Sequence, residues 1–272
     1  MSEITLVLKE KSNVPIEADA IRPDLFSGKS QQEIEALTLY YGNRKRPLSE
    51  ILEVRGEKSD HIRVIGDLSH VKKIGYGMKG GRVVIEGNVG MHLGAMMEGG
   101  EIVVEGNASD WVGAEMRGGL IRVKGNAGNL IGAAYRGSKR GMNRGTIIVE
   151  GNAGNEVGER MRRGLVVILG DARDFVGARM IAGSIIVFGK IGERPGAGMK
   201  RGTIVTFHAP RLLPTFHYDC TYSPAFIRVY LRALRHYGLE IREDYITGNY
   251  RRYNGDISEL GKGEILVYEQ EA

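Results

Sequence analysis

The sequence is poor in the residues that staple small proteins or grip metals. It holds one cysteine, Cys220, one tryptophan, Trp111, and seven prolines in 272 residues. A single thiol excludes an internal disulfide and any metal or iron–sulfur site built from cysteines alone. An opening apolar run is also missing, because MSEITLVLKEKSNV turns charged at once. No apolar stretch approaches the roughly 18 residues needed to cross a bilayer. A soluble, cytoplasmic protein without membrane insertion is expected. The net charge is only +5, with both signs interspersed along the chain. Basic patches interleaved with stacking aromatics are absent from the repeats described next, so no nucleic-acid partner is expected.

What the chain has in excess is glycine, 40 of 272 residues, about twice the roughly 7% average. The glycines are periodic. A glycine precedes each aliphatic run at Gly81, Gly100, Gly119, Gly145, Gly164, Gly183 and Gly202, with gaps of 19, 19, 26, 19, 19 and 19 residues. Three residues before each stands a methionine: Met78, Met97, Met116, Met142, Met161, Met180 and Met199. The runs after the glycines read RVVIE, EIVVE, LIRVK, TIIVE, LVVIL, SIIVF and TIVTF. Side chains two apart share one face of a strand, so the second and fourth positions are predicted to point inward. A Gly-Asn or Gly-Asp pair follows five of the runs, as in Gly125-Asn126. Both residue types tolerate positive φ, which predicts a corner.

A 19-residue unit is too short for a βαβ crossover and cannot stand alone. Burying three or four apolar side chains contributes roughly 5–10 kcal/mol, whereas ordering 19 backbones costs about 20–40 kcal/mol. Stacking resolves this, since each layer pairs its backbone with the layers above and below. The expected fold is mainly β: a right-handed parallel β-helix, or solenoid, of about seven glycine-rich rungs. Three regions are expected: an N-terminal α/β cap (1–60), the solenoid (61–207) and a helix-containing C-terminal extension (208–272). In the cap, a strand is predicted at 4–8, a helix near 30–37 and strands around 37–41 and 51–54. HIRVIGD (61–67) resembles a degenerate first rung. After Phe207 the repeat fails in a Pro-punctuated segment. A helix then opens with Ser223 as N-cap and Pro224 at its first position, and ends before Gly238. Phe226, Tyr230, Leu234 and Tyr237 share its apolar stripe, placed to cap the rod; Arg228, Arg232 and Arg235 share another. GKGEILVY (261–268) predicts a last strand.

Residues suited to catalysis are sparse. Glu86, Glu105 and Glu150 recur at one repeat position, as a solvated charge row does, and no catalytic residue is assigned. His208, His217, Asp219 and Cys220 form a ligand-type cluster whose spacing matches no metal site, and no metal is assigned to it. Gly75-Tyr76-Gly77 lacks the strand and helix of a dinucleotide loop. The methionines read as core rather than thioether ligands. The best contact candidate is the basic insertion in the fourth repeat, residues 135–142, with Tyr135, Arg136, Lys139 and Arg140. Loops that leave a rigid solenoid commonly carry binding. Arg228, Arg232 and Arg235 are the second candidate contact.

The reiterated G-x-x-M-x-x-G-x-[IV]-x-[IV]-x-G-[ND] resembles the glycine-repeat β-helix at the C-terminal end of the glutamate synthase large subunit. It is more similar to the C subunit of formylmethanofuran dehydrogenase. VGMHLGAMMEGGEIVVEGNASDWVGAEMRGG (89–119), AAYRGSKRGMNRGTIIVEGNAGNEVGE (133–159) and PIEADAIRPDLFSGKSQQEIEAL (15–37) carry that likeness. LLPTFHYDC (212–220) and GKGEIL (261–266) also resemble the C subunit of the bacterial formyltransferase/hydrolase complex of methylotrophs. The resemblance implies a non-catalytic scaffold subunit that binds no cofactor itself. For the dehydrogenase it implies three kinds of partner: a tungsto- or molybdopterin subunit that reduces CO2, an amidohydrolase-like subunit with a dinuclear metal site, and iron–sulfur subunits. For the hydrolase complex it implies the same scaffold without redox chemistry.

Overall fold

In the computed structural model, which describes residues 3–269, the chain is mainly β and centres on a thirteen-stranded, mostly parallel sheet. The N-terminal segment forms β1 (Ile4–Leu8), β2 (Ile16–Glu17), α1 (Pro23–Phe26), α2 (Gln31–Glu35), β3 (Thr38–Tyr41), β4 (Arg44–Pro47), α3 (Leu48–Ile51) and β5 (Leu52–Arg55). The repeats form β6 (His61–Ile65), β7 (Val71–Lys72), β8 (Arg82–Glu86), β9 (Glu101–Val104), β10 (Arg117–Val123), β11 (Arg144–Val149), β12 (Leu165–Ile168), β13 (Ser184–Val187) and β14 (Arg201–Thr206). Then come β15 (His217–Tyr222), α4 (Ala225–His236), α5 (Glu243–Thr247), β16 (Tyr250–Gly255) and β17 (Lys262–Tyr268).

The repeat period becomes register. β6 and β8 to β14 pair in parallel and in sequence order. Val83, Ile102, Ile121, Ile147, Val166, Ile185 and Ile204 therefore stand side by side. This column, the column two residues on from Ile85 to Thr206, and all seven methionines are buried. The inward positions are those the alternation predicts. A second ladder of parallel bridges runs through Leu68, Val89, Ala108, Ala127, Ala153, Ala172 and Ile191.

The Gly-Asn corners differ from expectation. Asn88, Asn107, Asn126 and Asn152 are not left-handed, and Gly87 alone among their glycines has positive φ. Each asparagine side chain reaches along the stack instead. Its Oδ1 accepts the backbone N–H of the equivalent residue one repeat on: Asn107 at 2.9 Å from Asn88, Asn126 at 2.8 Å from Asn107, Asn152 at 2.8 Å from Asn126. Glycine is needed beside this ladder for space. A Cβ on Gly125 would lie 2.6 Å from both Asn107 Oδ1 and the Gly106 carbonyl oxygen. Left-handed backbone falls on the seven anchor glycines and, unforeseen, on several non-glycine residues, among them His92, Trp111, Leu130, Glu156 and Phe175, with φ between 59 and 66°. A left-handed L-residue costs roughly 1–2 kcal/mol. Each of these five offsets it by donating its N–H to a carbonyl of the next repeat, at 2.8–3.0 Å.

Both ends of the sheet are extended by non-repeat strands, as an exposed edge requires. At one end β1 pairs in parallel with β6 and antiparallel with β5. Nearby, Ser30 and Glu33 form a capping box that starts α2. At the other end β17 continues the repeat register, with Gly202 opposite Gly263 and Ile204 opposite Ile265. β16 and β15 then add antiparallel. β15 occupies HYDCTY, within the Pro-punctuated segment where the repeat fails.

The C-terminal helix sits otherwise than predicted. Pro224 is its N-cap and no side chain caps it, because the Ser223 hydroxyl donates to the Gly248 carbonyl at 3.0 Å and accepts from Arg228 at 2.7 Å. The buried stripe is Ile227, Leu231 and Leu234, while Phe226 and Tyr237 are exposed. These three pack with Ile148, Val167, Ile186 and Val205, the outward middle positions of four strands. The helix covers the flank of the sheet and not its end. Runs such as SIIVF lack a polar position because both faces of those strands are buried. No helix among the described residues is long and apolar enough to cross a membrane.

A candidate partner-binding site at the insertion loop

The seven extra residues leave the stack after Ala134 and rejoin it at Met142. Both ends are pinned to the next repeat: Ala134 N–H donates to the Glu159 carbonyl at 3.1 Å, and Gly141 N–H to the Arg160 carbonyl at 2.9 Å. Between these anchors the loop folds over two left-handed residues of earlier repeats. Tyr135 stacks on Trp111 with ring centroids 5.0 Å apart and lies 5.5 Å from the His92 ring. Its hydroxyl is 3.0 Å from His92 Nδ1. Such aromatic pairs contribute roughly 0.5–1.5 kcal/mol each beyond their burial, which orders a loop that glycine and serine would otherwise leave loose.

A cleft of about 350 Å³ opens beside the stack, lined by Trp111, Tyr135, Arg136, Glu159, Arg160 and Arg179 among others. Glu159 is buried and is held by Arg160 at 3.1 Å and Arg179 at 2.9 Å. Arg160 also donates to the Ser138 carbonyl at 3.1 Å, joining the loop to that carboxylate. Both guanidiniums meet the same oxygen, Oε1, and hold the carboxylate in its charged form, which suits recognition.

Burial pushes the Tyr135 phenol upward, so it stays protonated and can donate. Burial, then the nearby Lys73 and Lys72, lowers His92 below its ordinary value of 6.5. The neutral imidazole accepts the Tyr135 hydrogen bond. Folded His92 binds a proton less readily than unfolded His92, so its stability contribution is present above pH 6.5 and is lost as the pH falls below it. Trp111, the single tryptophan, reports on this stack. Its emission is expected to change on acidification with a midpoint below 6.5, and Tyr135→Phe should shift that midpoint. A midpoint above 6.5 would contradict the assignment.

Of the seven predicted contact residues, Tyr135 and Arg136 line the cleft, and Lys139 and Arg140 are exposed on the same loop. The other three lie on α4. Arg228 is tied to Ser223, and Arg235 to the Ile241 carbonyl at 3.1 Å and to Glu243 at 2.8 Å. Arg232 is exposed, with no ion pair among the described residues. Sequence reasoning did not select His92, Trp111, Glu159, Arg160 or Arg179. The usable signal was the 19-residue spacing of His92 from Trp111 and of Arg160 from Arg179, which puts each pair on one face in adjacent layers.

Glu86 pairs with Arg63 at 2.9 Å, Glu105 with Lys124 at 2.6 Å and Glu150 with Arg122 at 2.6 Å. Each carboxylate of the row is thus matched by a cation from a neighbouring repeat. His217, Asp219 and Cys220 lie exposed on β15, where Asp219 faces Arg252 at 3.4 Å. Among the described residues no group of three or more His, Cys, Asp or Glu is placed to hold a metal ion.

Comparison with known proteins agrees with this architecture. The GXGXG motif family model matches residues 82–212. The chain is 50% identical over 91 residues to the C subunit of the molybdenum-containing formylmethanofuran dehydrogenase 1 of Methanothermobacter marburgensis, a match covering 33% of this chain and 23% of that protein. It is 45% identical over 100 residues to the C subunit of the tungsten-containing formylmethanofuran dehydrogenase 2 of the same organism, covering 35% and 37%. These matches span about a quarter to a third of the relatives' length. A chain in the crystal structure of the formyltransferase/hydrolase complex (FhcABCD) from Methylorubrum extorquens, determined with methylofuran, superposes with a TM-score of 0.92 at 35% identity. That match covers 98% of this chain and 100% of the other. The chain belongs to the family of that formyltransferase/hydrolase complex chain. Within that family's fold, the aromatic stack and the insertion cleft described above are features of this chain's own residues.

Proposed function

We propose that this chain is the non-catalytic scaffold subunit of formylmethanofuran dehydrogenase, the complex that reduces CO2 with methanofuran to formylmethanofuran in the first step of methanogenesis. The likeness of about a third of this chain to the C subunits of both molybdenum and tungsten types carries this reading. In it the repeats wind as a right-handed β-helix of about seven rungs over 61–207, with a cap over 1–60 and an extension over 208–272. The 19-residue register and the second ladder of bridges support that winding. The chain binds no cofactor; the pterin metal, the iron–sulfur clusters and the dinuclear metal site belong to neighbouring subunits. Tyr135, Arg136, Lys139, Arg140 and Arg232 contact those neighbours.

The whole-chain match to the formyltransferase/hydrolase complex favours a second reading, the equivalent subunit of a complex that performs no redox step. Purification of the native assembly separates the two. A pterin-metal subunit and ferredoxin-like polypeptides co-eluting with this chain support the dehydrogenase. A formyltransferase partner without iron–sulfur polypeptides would replace it with the second reading, and a stable monomer would sink both.

The scaffold role makes a sharp prediction for the carboxylate row. Glu105 and Lys124 are both some 40% exposed, where an ion pair is worth only about 0–1 kcal/mol. Glu105→Gln is expected to leave the melting temperature and the activity of the assembly unchanged. Lost activity in an intact assembly would show that the row does chemistry.

A further inference from the structure

One corner of the stack carries cations that the chain does not neutralise. Arg144 and Arg201 begin β11 and β14, and Lys262 begins β17 directly opposite Arg201. The register of β11 on β12 sets Arg163 opposite Arg144, with Arg162 next to it. Arg144, Arg163, Arg201 and Lys262 are exposed, and Arg162 is half-buried. None of the five has an ion pair among the described residues, whereas Arg63, Arg82, Arg122 and Lys124 are each paired with a glutamate of an adjacent strand or corner. Strands are about 4.8 Å apart, and like charges directly opposite one another destabilise a sheet. The chain neutralises its charges between layers elsewhere and leaves them facing each other here.

The ridge also has a defined setting. In the repeat of β12, Arg160 lines the insertion cleft, Arg162 and Arg163 form the ridge, and Leu165 begins a groove under α4. That groove, about 450 Å³, is lined by Leu165, Tyr230, Leu234 and Tyr237 with Arg163 on its rim. An apolar slot edged by the unpaired Arg163 guanidinium, with the other ridge cations along the same corner, matches a protein face with an apolar anchor flanked by carboxylates. Stacking aromatics interleaved with the cations, which nucleic acid would need, are not part of the ridge.

We propose that the corner formed by Arg144, Arg162, Arg163, Arg201 and Lys262 is a docking surface for a carboxylate-rich face of a partner subunit, with the α4 groove receiving that partner's apolar anchor. The inference rests on the reading of this chain as a subunit of a complex, and the test separates the two. The tagged full-length chain is purified with its native assembly, as wild type and as the triple variant Arg144→Glu, Arg163→Glu, Arg201→Glu. Association of the variant is expected to weaken roughly tenfold or more at about 0.1 M salt, the difference shrinking as salt rises. The variant's melting temperature should be no lower than wild type, because like-charge contacts are relieved. Arg144→Lys, Arg163→Lys, Arg201→Lys should retain the complex, and carbodiimide should couple Lys262 to a partner carboxylate. A triple variant that keeps its partners at every salt concentration would overturn the proposal while leaving the subunit reading intact. A wild-type chain that elutes alone would remove both. Binding of duplex DNA by the wild type, abolished in the triple variant, would reassign the ridge to nucleic acid and overturn the proposal.

Discussion

Gly119→Val is expected to abolish soluble expression of the folded chain. Gly119 has φ of +86°, a region closed to a β-branched residue. A Cβ there would lie 2.6 Å from Met97 Cε and 2.7 Å from the Gly100 carbonyl oxygen. Met97 is fully buried in the methionine column, and the Gly100 carbonyl is engaged by the Leu120 N–H at 3.0 Å. The methionine end can swing, but the carbonyl cannot withdraw without moving a layer. The backbone penalty alone is about 1–2 kcal/mol, and overpacking adds roughly 1–3 kcal/mol. Domains of ordinary stability have about 5–15 kcal/mol in total. A shift in one layer is also passed to the layers on either side, because each repeat contacts its neighbours. Soluble yield and the melting transition by circular dichroism measure this. A soluble variant melting within a few degrees of wild type would refute the close-packed account of the corner.

Phe207→Ala is expected to release the C-terminal extension before the repeats unfold. Phe207 is 2% exposed, stacks on Phe188 at 4.6 Å, and meets Tyr245 at 4.2 Å and Tyr250 at 6.2 Å. It joins the last regular run of the repeat to α5 and β16. Truncating a buried phenylalanine costs about 3–5 kcal/mol, and this ring is the one that Phe188, Tyr245, Tyr250 and Tyr268 all meet. Limited proteolysis should therefore cut the variant within residues 223–249 while the repeat strands stay resistant. Unchanged cleavage together with an unchanged melting temperature would show that the extension is held by something other than this cluster.

Much of the fold was legible because the repeat restates each constraint seven times. The aliphatic alternation, the methionine column and the anchor glycines each recur at one spacing, and a side chain's inward direction depends on its own strand. The Gly-Asn corner was legible as a position but not as a mechanism. Local propensity points to positive φ, whereas the structure uses glycine for clearance and asparagine as a hydrogen-bond ladder between layers. The flanks were harder. α4 is placed by four outward aliphatics, Ile148, Val167, Ile186 and Val205, whose shared face exists only after the strands stack. The insertion was visible as a break in register, yet its contact with His92 is a meeting of residues 43 positions apart.

The sequence by itself determined a mainly β, parallel stack, because a strict 19-residue period buries its apolar positions only when equivalent residues align. Tertiary structure alone decided which outer faces are covered, which charges find partners and which do not. Those outcomes depend on distances between layers and appendages that no single repeat encodes. One scarcity proved informative in that respect: the lone tryptophan, Trp111, stands where the insertion folds back onto the stack.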